Sequence, residues 1–335
     1  MILSDEALQE FWQASASEVP IVIVGGGRWG RIWSIAISRA RGSGFGVYIA
    51  ARTDKESTSN WARDTSGFKD LVVVGSLGEA MQQACKPVLA IIASRPRDHL
   101  RDAEEAIKQG LDILIEKPLS NSALGALQLI KFARKNSALI GVGTEFAFLP
   151  AFHFCARELA HRTTDALIVR LYWRDLKDDF RYGAEKKRHE EIGVLGDLLP
   201  HAHSIFRIFT LGSILQIEEL KEDATSEKGC IYFRDDHGAR FELYCDKQAS
   251  FRQRYLEIST STMNASVDFQ TEVPKVMIDG YEQTNQDTIH MNSTLRLAFG
   301  ALLLERSGLV NPTPISVYLD ELSKLHSYVE KNCAV

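Results

Sequence analysis

Residues 21–30 read Ile-Val-Ile-Val-Gly-Gly-Gly-Arg-Trp-Gly, four strand-forming residues running straight into glycines at 25, 27 and 30. In a strand–turn–helix unit the first glycine permits the tight turn, the second lets backbone approach a pyrophosphate, and the third allows the helix to pack closely on the strand. The helix that follows offers unpaired N–H groups and the positive end of its dipole to phosphate oxygens. A bare G-x-G-x-x-G pattern arises by chance in glycine-rich chains. Here a Val/Ile strand precedes it and an apolar-periodic stretch, Trp33, Ile35, Ala36, Ile37 and Ala40, follows. The turn is therefore read as a dinucleotide site, with Gly25, Gly27, Arg28, Trp29 and Gly30 at the cofactor.

Outward from the turn the pattern alternates. After a short amphipathic helix at 5–14, helices are expected near 29–41, 77–85, 98–109 and 121–136, and strands near 46–51, 71–74, 88–93, 112–115 and 138–142. Such alternation specifies a doubly wound parallel sheet covered on both faces. Beyond about residue 150 the grammar changes: helices at 150–161 and 197–211 are interspersed with strands at 165–174, 214–220, 229–235, 239–246, 252–260 and 264–270. Asp235-Asp236-His237-Gly238 between two apolar runs signals a hairpin. Neighbouring strands of this kind argue for an antiparallel or mixed sheet in an α+β domain, closed by helices at 286–306 and 315–331. The expected division is 1–144 for the dinucleotide-binding domain and 145–335 for a substrate-binding and oligomerisation domain.

Bulk properties agree with two ordinary globular domains. The 335 residues are 45% hydrophobic and 25% charged, and the net charge of -5 supplies no basic field for nucleic acid. The five cysteines are scattered without a C-x-x-C pair, which argues against a disulfide framework or zinc cluster and for a reducing, cytoplasmic setting. The first twenty residues carry Asp5, Glu6, Glu10 and Glu18 and lack a basic start with an apolar core, so neither a signal peptide nor a membrane span is expected.

The second strand ends Ala50-Ala51-Arg52-Thr53, where a carboxylate would normally meet the adenosine ribose. A planar guanidinium with a hydroxyl neighbour suits a 2′-phosphate instead, so Arg52 and Thr53 favour NADP(H) over NAD(H). The alternative has Asp54 in the ribose role.

Three further segments follow in order: Ala93-Ser94-Arg95-Pro96-Arg97-Asp98-His99, Ile115-Glu116-Lys117-Pro118, and Gly193-Val194-Leu195-Gly196-Asp197-Leu198-Leu199-Pro200-His201. With the glycine turn, they make the chain resemble the glucose-fructose oxidoreductase, inositol dehydrogenase and rhizopine-catabolism family (Gfo/Idh/MocA) over nearly its whole length. The resemblance implies that Ser94, Arg95, His99, Glu116 and Lys117 line the cofactor. It also implies an open-faced, mostly antiparallel sheet in the second domain, a commonly cis Lys-Pro bond, a Lys117 that orients substrate and favours a developing alkoxide, and a His201 that serves as acid or base. Asp197, one helical turn before His201, would orient the imidazole or bind substrate directly. Histidine suits the role because its pKa lies near neutrality.

Departures from the family pattern are informative. The glycines before Asp197 are separated, and Pro200 precedes His201. Proline is tolerated in the first turn of a helix, so a helix capped by Asp197 is expected. His203 lacks a carboxylate or cysteine cluster to complete a metal site, and no metal is expected. Arg181 and Tyr182, in the charged stretch feeding the Asp197 helix, are candidate substrate contacts. The expected activity is hydride transfer between NADP(H) and a C–O or C–N centre of a sugar, cyclitol or nucleotide-sugar-like molecule. The alternatives are a biosynthetic imine or ketone reductase and a non-catalytic dinucleotide sensor. The open sheet is expected to leave a broad apolar face that a homodimer or homotetramer would cover.

Overall fold

The computed structural model describes residues 1–65, 70–162, 166–177, 180–181, 184–185, 192–210, 215–271, 273–283, 294–310 and 313–333. The chain forms two compact units. One comprises Asp5–Glu145 with Leu295–Asp320; the other comprises Met1–Ser4, Phe146–Thr294 and Glu321–Val335. Neither unit is a single run of chain, so a lone cut after residue 144 does not describe them.

The nucleotide-binding unit runs α1 (Asp5–Ala14), β1 (Ile21–Val24), α2 (Arg28–Arg41), β2 (Val47–Ala50), α3 (Lys55–Thr65), β3 (Val72–Val74), α4 (Leu77–Met81), β4 (Leu89–Ile92), α5 (Pro96–Lys108), β5 (Asp112–Glu116), α6 (Ala123–Lys135) and β6 (Ile140–Gly143). The strands pair in parallel in the order β3-β2-β1-β4-β5-β6. Because helices cover both faces, β1, β2 and β4 are continuous apolar runs rather than alternating ones. The strand order reverses between β1 and β4, and in open α/β sheets ligands bind outside the carboxyl ends at such a switch point. Helix α3 was not expected from sequence, because Lys55–Thr65 holds only Trp61 and Ala62 as apolar residues. Its Thr58 is nonetheless fully buried.

The second unit carries a 3-10 turn (Glu145–Phe148) at its entry, then α7 (Pro150–Ala160), β7 (Ile168–Leu176), the short strands β8 (Phe180–Arg181) and β9 (Ala184–Glu185), and α8 (Val194–Phe209). There follow β10 (Gln216–Glu222), β11 (Lys228–Arg234), β12 (Arg240–Ala249), β13 (Gln253–Ser259), β14 (Asn264–Asp268), β15 (Lys275–Ile278) and β16 (Tyr281–Gln283). Eight of these strands form one sheet in the order β10-β11-β12-β7-β13-β14-β15-β16, antiparallel except for the β12–β7 pair. The Asp235–Gly238 hairpin joins β11 to β12 as expected, with Asp235 Oδ1 accepting from the His237 and Ala239 N–H groups. The β15–β16 hairpin was missed, although its Asp279-Gly280 turn, with both φ positive, has the residue pair that such turns require.

Along β7 every second residue, Val169, Leu171, Trp173 and Asp175, is buried on the face that packs on α8. The opposite face is not the broad apolar surface expected. It carries Arg170, Tyr172, Glu242, Tyr244 and Glu257, joined by an Arg170–Glu242 ion pair at 2.9 Å and by the Tyr172 hydroxyl donating to Glu257 at 3.1 Å. The tyrosines stack, with Tyr172 and Tyr244 centroids 5.2 Å apart. Strict alternation places these polar and aromatic residues there, since period-2 side chains share a face.

The last helices are α9 (Thr294–Arg306) and α10 (Leu319–Asn332). α9 belongs to the nucleotide-binding unit: Arg296 lies 3.4 Å from the Trp12 ring centroid, Arg306 pairs with Asp112 at 2.9 Å, and the Val142 N–H donates to Ile315 O. α10 buries Leu322, Leu325 and Val329 in the core of the other unit. Among the described residues no helix is long and apolar enough to cross a membrane.

Candidate active site

The glycine turn has the shape its spacing requires. Gly25 adopts φ 120°, and a Cβ there would lie 2.7 Å from Ala93 O. A Cβ on Gly30 would fall 1.9 Å from Gly25 O, which is the close helix-on-strand packing assigned to the third glycine. Above Gly27, the N-cap of α2, a Cβ would meet nothing within 4 Å. That open space lies at the N-terminus of α2, the end of a helix whose dipole and first N–H groups suit an anion. Arg28 and Trp29 sit on the first turn with Arg28 5.9 Å from the Trp29 ring centroid. α3 braces the turn through Thr58, whose Oγ1 donates to Gly26 O at 3.3 Å, and Arg31 of α2 donates from Nε to the same carbonyl at 3.0 Å. Arg31 and Thr58 were not picked out from sequence, because their contribution is to a carbonyl and not to a motif.

At the end of β2, Arg52 is half exposed and reaches toward α5, with Nη1 3.4 Å from Asp102 Oδ1 and Nη2 4.0 Å from Asp98 Oδ1. Asp102 is also held by Arg101 through Nε at 2.9 Å and Nη2 at 2.8 Å. Thr53 and Asp54 are exposed.

At the carboxyl end of β4, Ser94 Oγ is buried with no hydrogen-bond partner among the described residues. Arg95 is exposed at the N-cap of α5. His99, expected at the cofactor, is buried instead, and its ring bridges two backbone carbonyls: Nδ1 is 2.8 Å from Pro118 O and Nε2 3.0 Å from Ser94 O. It ties the loop after β4 to the loop after β5, so it shapes the cradle from beneath.

β5 ends in Glu116, followed by a cis Lys117–Pro118 bond. Glu116 accepts a 2.6 Å hydrogen bond from the Trp33 indole N–H inside the unit. Burial pushes its carboxyl up to about 7, against the pull of Trp33 and Lys117. Glu145, just beyond β6, is pushed to about 8 by burial and then by the charge of Glu116. Lys117 is half-buried beside both carboxyls, a cation at the carboxyl edge of the parallel sheet. Glu145 was not singled out from sequence; it neighbours Glu116 because β5 and β6 pair with Glu116 opposite Gly143.

In the other unit, α8 starts earlier than expected. Gly193 is its N-cap, Asp197 lies in its first turn, and Pro200 sits inside the helix. The proline therefore removes the hydrogen bond that its nitrogen would give to Gly196 O, and Asp197 is not the cap that accommodates it. Every residue of α8 is buried. Asp197 pairs with Lys247 of β12 at 3.1 Å, a partner that sequence spacing could not reveal. His201 is 4% exposed. Its imidazole stacks on Trp173 of β7 at 5.3 Å and 8°, and Phe146 meets it edge-on at 5.0 Å and 82°. His203 lies 3.5 Å from Glu321. No metal-type cluster of His, Cys, Asp or Glu occurs among the described residues. Arg181 is placed in β8 by its backbone alone, and Tyr182 lies outside the described residues.

Comparison with known proteins gives a consistent picture. Residues 19–144 match the family model GFO_IDH_MocA, the oxidoreductase family with an NAD-binding Rossmann fold. No curated protein matches the sequence. Among solved structures the chain is similar to a UDP-N-acetylglucosamine 3-dehydrogenase from Acidithiobacillus ferrooxidans, at 15% identity and TM-score 0.70 over 93% of this chain and 95% of that one. It is similar to a 3-ketoreductase from Actinomadura kijaniata in complex with TDP-benzene and NADP, at 15% identity and TM-score 0.72 over 93% and 97%. An inositol dehydrogenase homolog from Azotobacter vinelandii, complexed with NADH and myo-inositol, matches at 14% identity and TM-score 0.71 over 93% and 94%. Identities this low establish the shared fold alone, and the sequence match is confined to the nucleotide-binding part. Over residues 19–144 the chain matches the NAD-binding Rossmann part of the Gfo/Idh/MocA oxidoreductases, and over nearly its whole length it shares the fold of solved dehydrogenases similar to them.

Proposed function

We propose that this oxidoreductase uses NADP(H) to move a hydride to or from a C–O or C–N centre of a small polar substrate, a sugar, a cyclitol or a nucleotide-linked sugar. The observation that carries the reading is the arrival of Lys117 at the same carboxyl edge of the parallel sheet as the glycine cradle. Arg52 supports the phosphorylated cofactor, since no carboxylate stands at its position. The substrate class is supported by the named activities of the structural neighbours.

When bound, the nicotinamide supplies or accepts the hydride. The chain's own residues do the rest. The Lys117 ammonium donates to the substrate heteroatom and stabilises the negative charge developing there. His201 is the acid–base group of the other unit, and Asp197 with Lys247 sets the charge around the helix that carries it. Ser94 and the His99-tied loops shape the nicotinamide side of the cradle.

Calorimetry with NADPH and NADH, followed by turnover in both directions with UDP-N-acetylglucosamine, myo-inositol and a TDP-linked keto sugar, tests the reading. His201→Asn and Lys117→Met are expected to keep cofactor binding and to lower kcat about 10²- to 10⁴-fold. Tight binding without turnover in the unaltered protein would establish a dinucleotide sensor instead. Turnover confined to simple ketones or imines would move the substrate class.

We also propose a homodimer, or a tetramer of dimers, built through the outer face of the eight-stranded sheet. Tyrosine and arginine, which that face displays, are enriched at the centres of protein interfaces. A monomer in sedimentation equilibrium at micromolar concentration would rule it out. The five unpaired cysteines support a reducing, cytoplasmic location.

A further inference from the structure

His201 is not simply surrounded by apolar side chains. Trp173 stands opposite Arg254 in the β7–β13 register, and the Arg254 guanidinium lies 4.0 Å from the Trp173 ring centroid. The indole in turn stacks on His201 within 8° of parallel. Arg254 is 4% exposed and is fixed on three sides: it donates to Arg174 O at 2.7 Å, to Gln253 O at 2.8 Å, and to the carboxylate of Asp175, itself 3% exposed. Phe269, fully buried, closes the edges of Trp173 and Phe146. Burying an ion pair costs desolvation that a pair of leucines would avoid. A cation on an indole face attracts it and holds it in one plane.

We propose that Trp173 is a positioning residue that fixes the plane of the His201 imidazole, with the buried Arg254–Asp175 pair anchoring the indole and Phe146 closing the ring edge. An imidazole can rotate about its Cα–Cβ and Cβ–Cγ bonds; a stacked indole on one face and a perpendicular phenyl at the edge restrict the ring to one plane. The catalytic significance rests on the acid–base reading of His201 given above. The stack itself does not.

Two readouts separate the claims. In protein labelled with ¹³C at histidine, the His201 ring protons are expected upfield of those of the exposed His161, because they lie over the indole, and Trp173→Leu is expected to abolish that shift. Trp173→Phe should retain part of it. An unshifted His201 resonance, or one that Trp173→Leu leaves in place, overturns the proposal. In turnover, Trp173→Leu is expected to lower kcat about 10- to 100-fold while KM and the Kd for NADPH change less than about twofold, and Trp173→Phe to recover most of the loss. Unchanged kcat in Trp173→Leu, in a protein that His201→Asn inactivates, also overturns it. If His201→Asn turns over normally, the acid–base reading fails, and the resonance shift alone decides whether Trp173 sets the ring.

Discussion

The indole N–H of Trp33 donates to Oε1 of Glu116 at 2.6 Å across a separation of 83 residues, joining the helix after the glycine turn to the strand that ends at Lys117. Through this contact the phosphate-binding and lysine-bearing segments share one buried support. Trp33→Phe keeps an aromatic ring but strips the carboxyl of its donor. Leaving a buried polar group unsatisfied costs about 1–3 kcal/mol, so the urea midpoint is expected to fall accordingly, with no change in the slope of the transition.

The Glu116–Glu145 pair makes stability fall as pH rises above the ordinary carboxylate range. Both carboxyls are raised from 4.5, to about 7 and about 8, by burial and, for Glu145, by the neighbouring carboxyl. Above pH 4.5 the unfolded chain has released protons that the folded protein still holds, so stability declines as pH rises through the folded values. The Tm is expected to drop between about pH 5 and about pH 8, and Glu145→Gln to flatten that decline. A Tm that rises over this window would contradict the assignment.

Gly30 has no room for a methyl group, since its Cβ would lie 1.9 Å from Gly25 O. Gly30→Ala must push α2 off β1, at an overpacking cost of about 1–3 kcal/mol. NADPH affinity measured by calorimetry is expected to fall more than about tenfold, because the N–H groups that face the phosphates move with the helix.

Arg52 can be replaced without dismantling its surroundings, because Arg101 still holds Asp102 at 2.8 Å. Arg52→Asp is expected to weaken NADPH binding by about tenfold or more and to spare or improve NADH, since a carboxylate repels a 2′-phosphate and accepts from a ribose hydroxyl. Unchanged preference would show that Arg52 does not read the cofactor.

Local chemistry in the sequence carried the nucleotide-binding unit. The Val/Ile run before three spaced glycines, the helix–strand alternation and the Glu-Lys-Pro strand end are adjacent-residue signals, and each leads to the element seen. The second unit was less legible. There α8 begins three residues before Asp197, and the sheet's outer face is polar and aromatic where an apolar one was expected.

By itself, the sequence determined the switch-point edge, the cradle and the placement of Lys117 and His201 on their elements, because periodicity and turn chemistry are written in neighbouring residues. Only the tertiary structure decided which side chains meet them. Strand register sets Trp173 beside Arg254 and Glu116 beside Gly143, and the packing of α8 on that sheet lays His201 against Trp173 and Asp197 against Lys247. Contacts between residues far apart in the chain are fixed by packing, and a local pattern does not carry them.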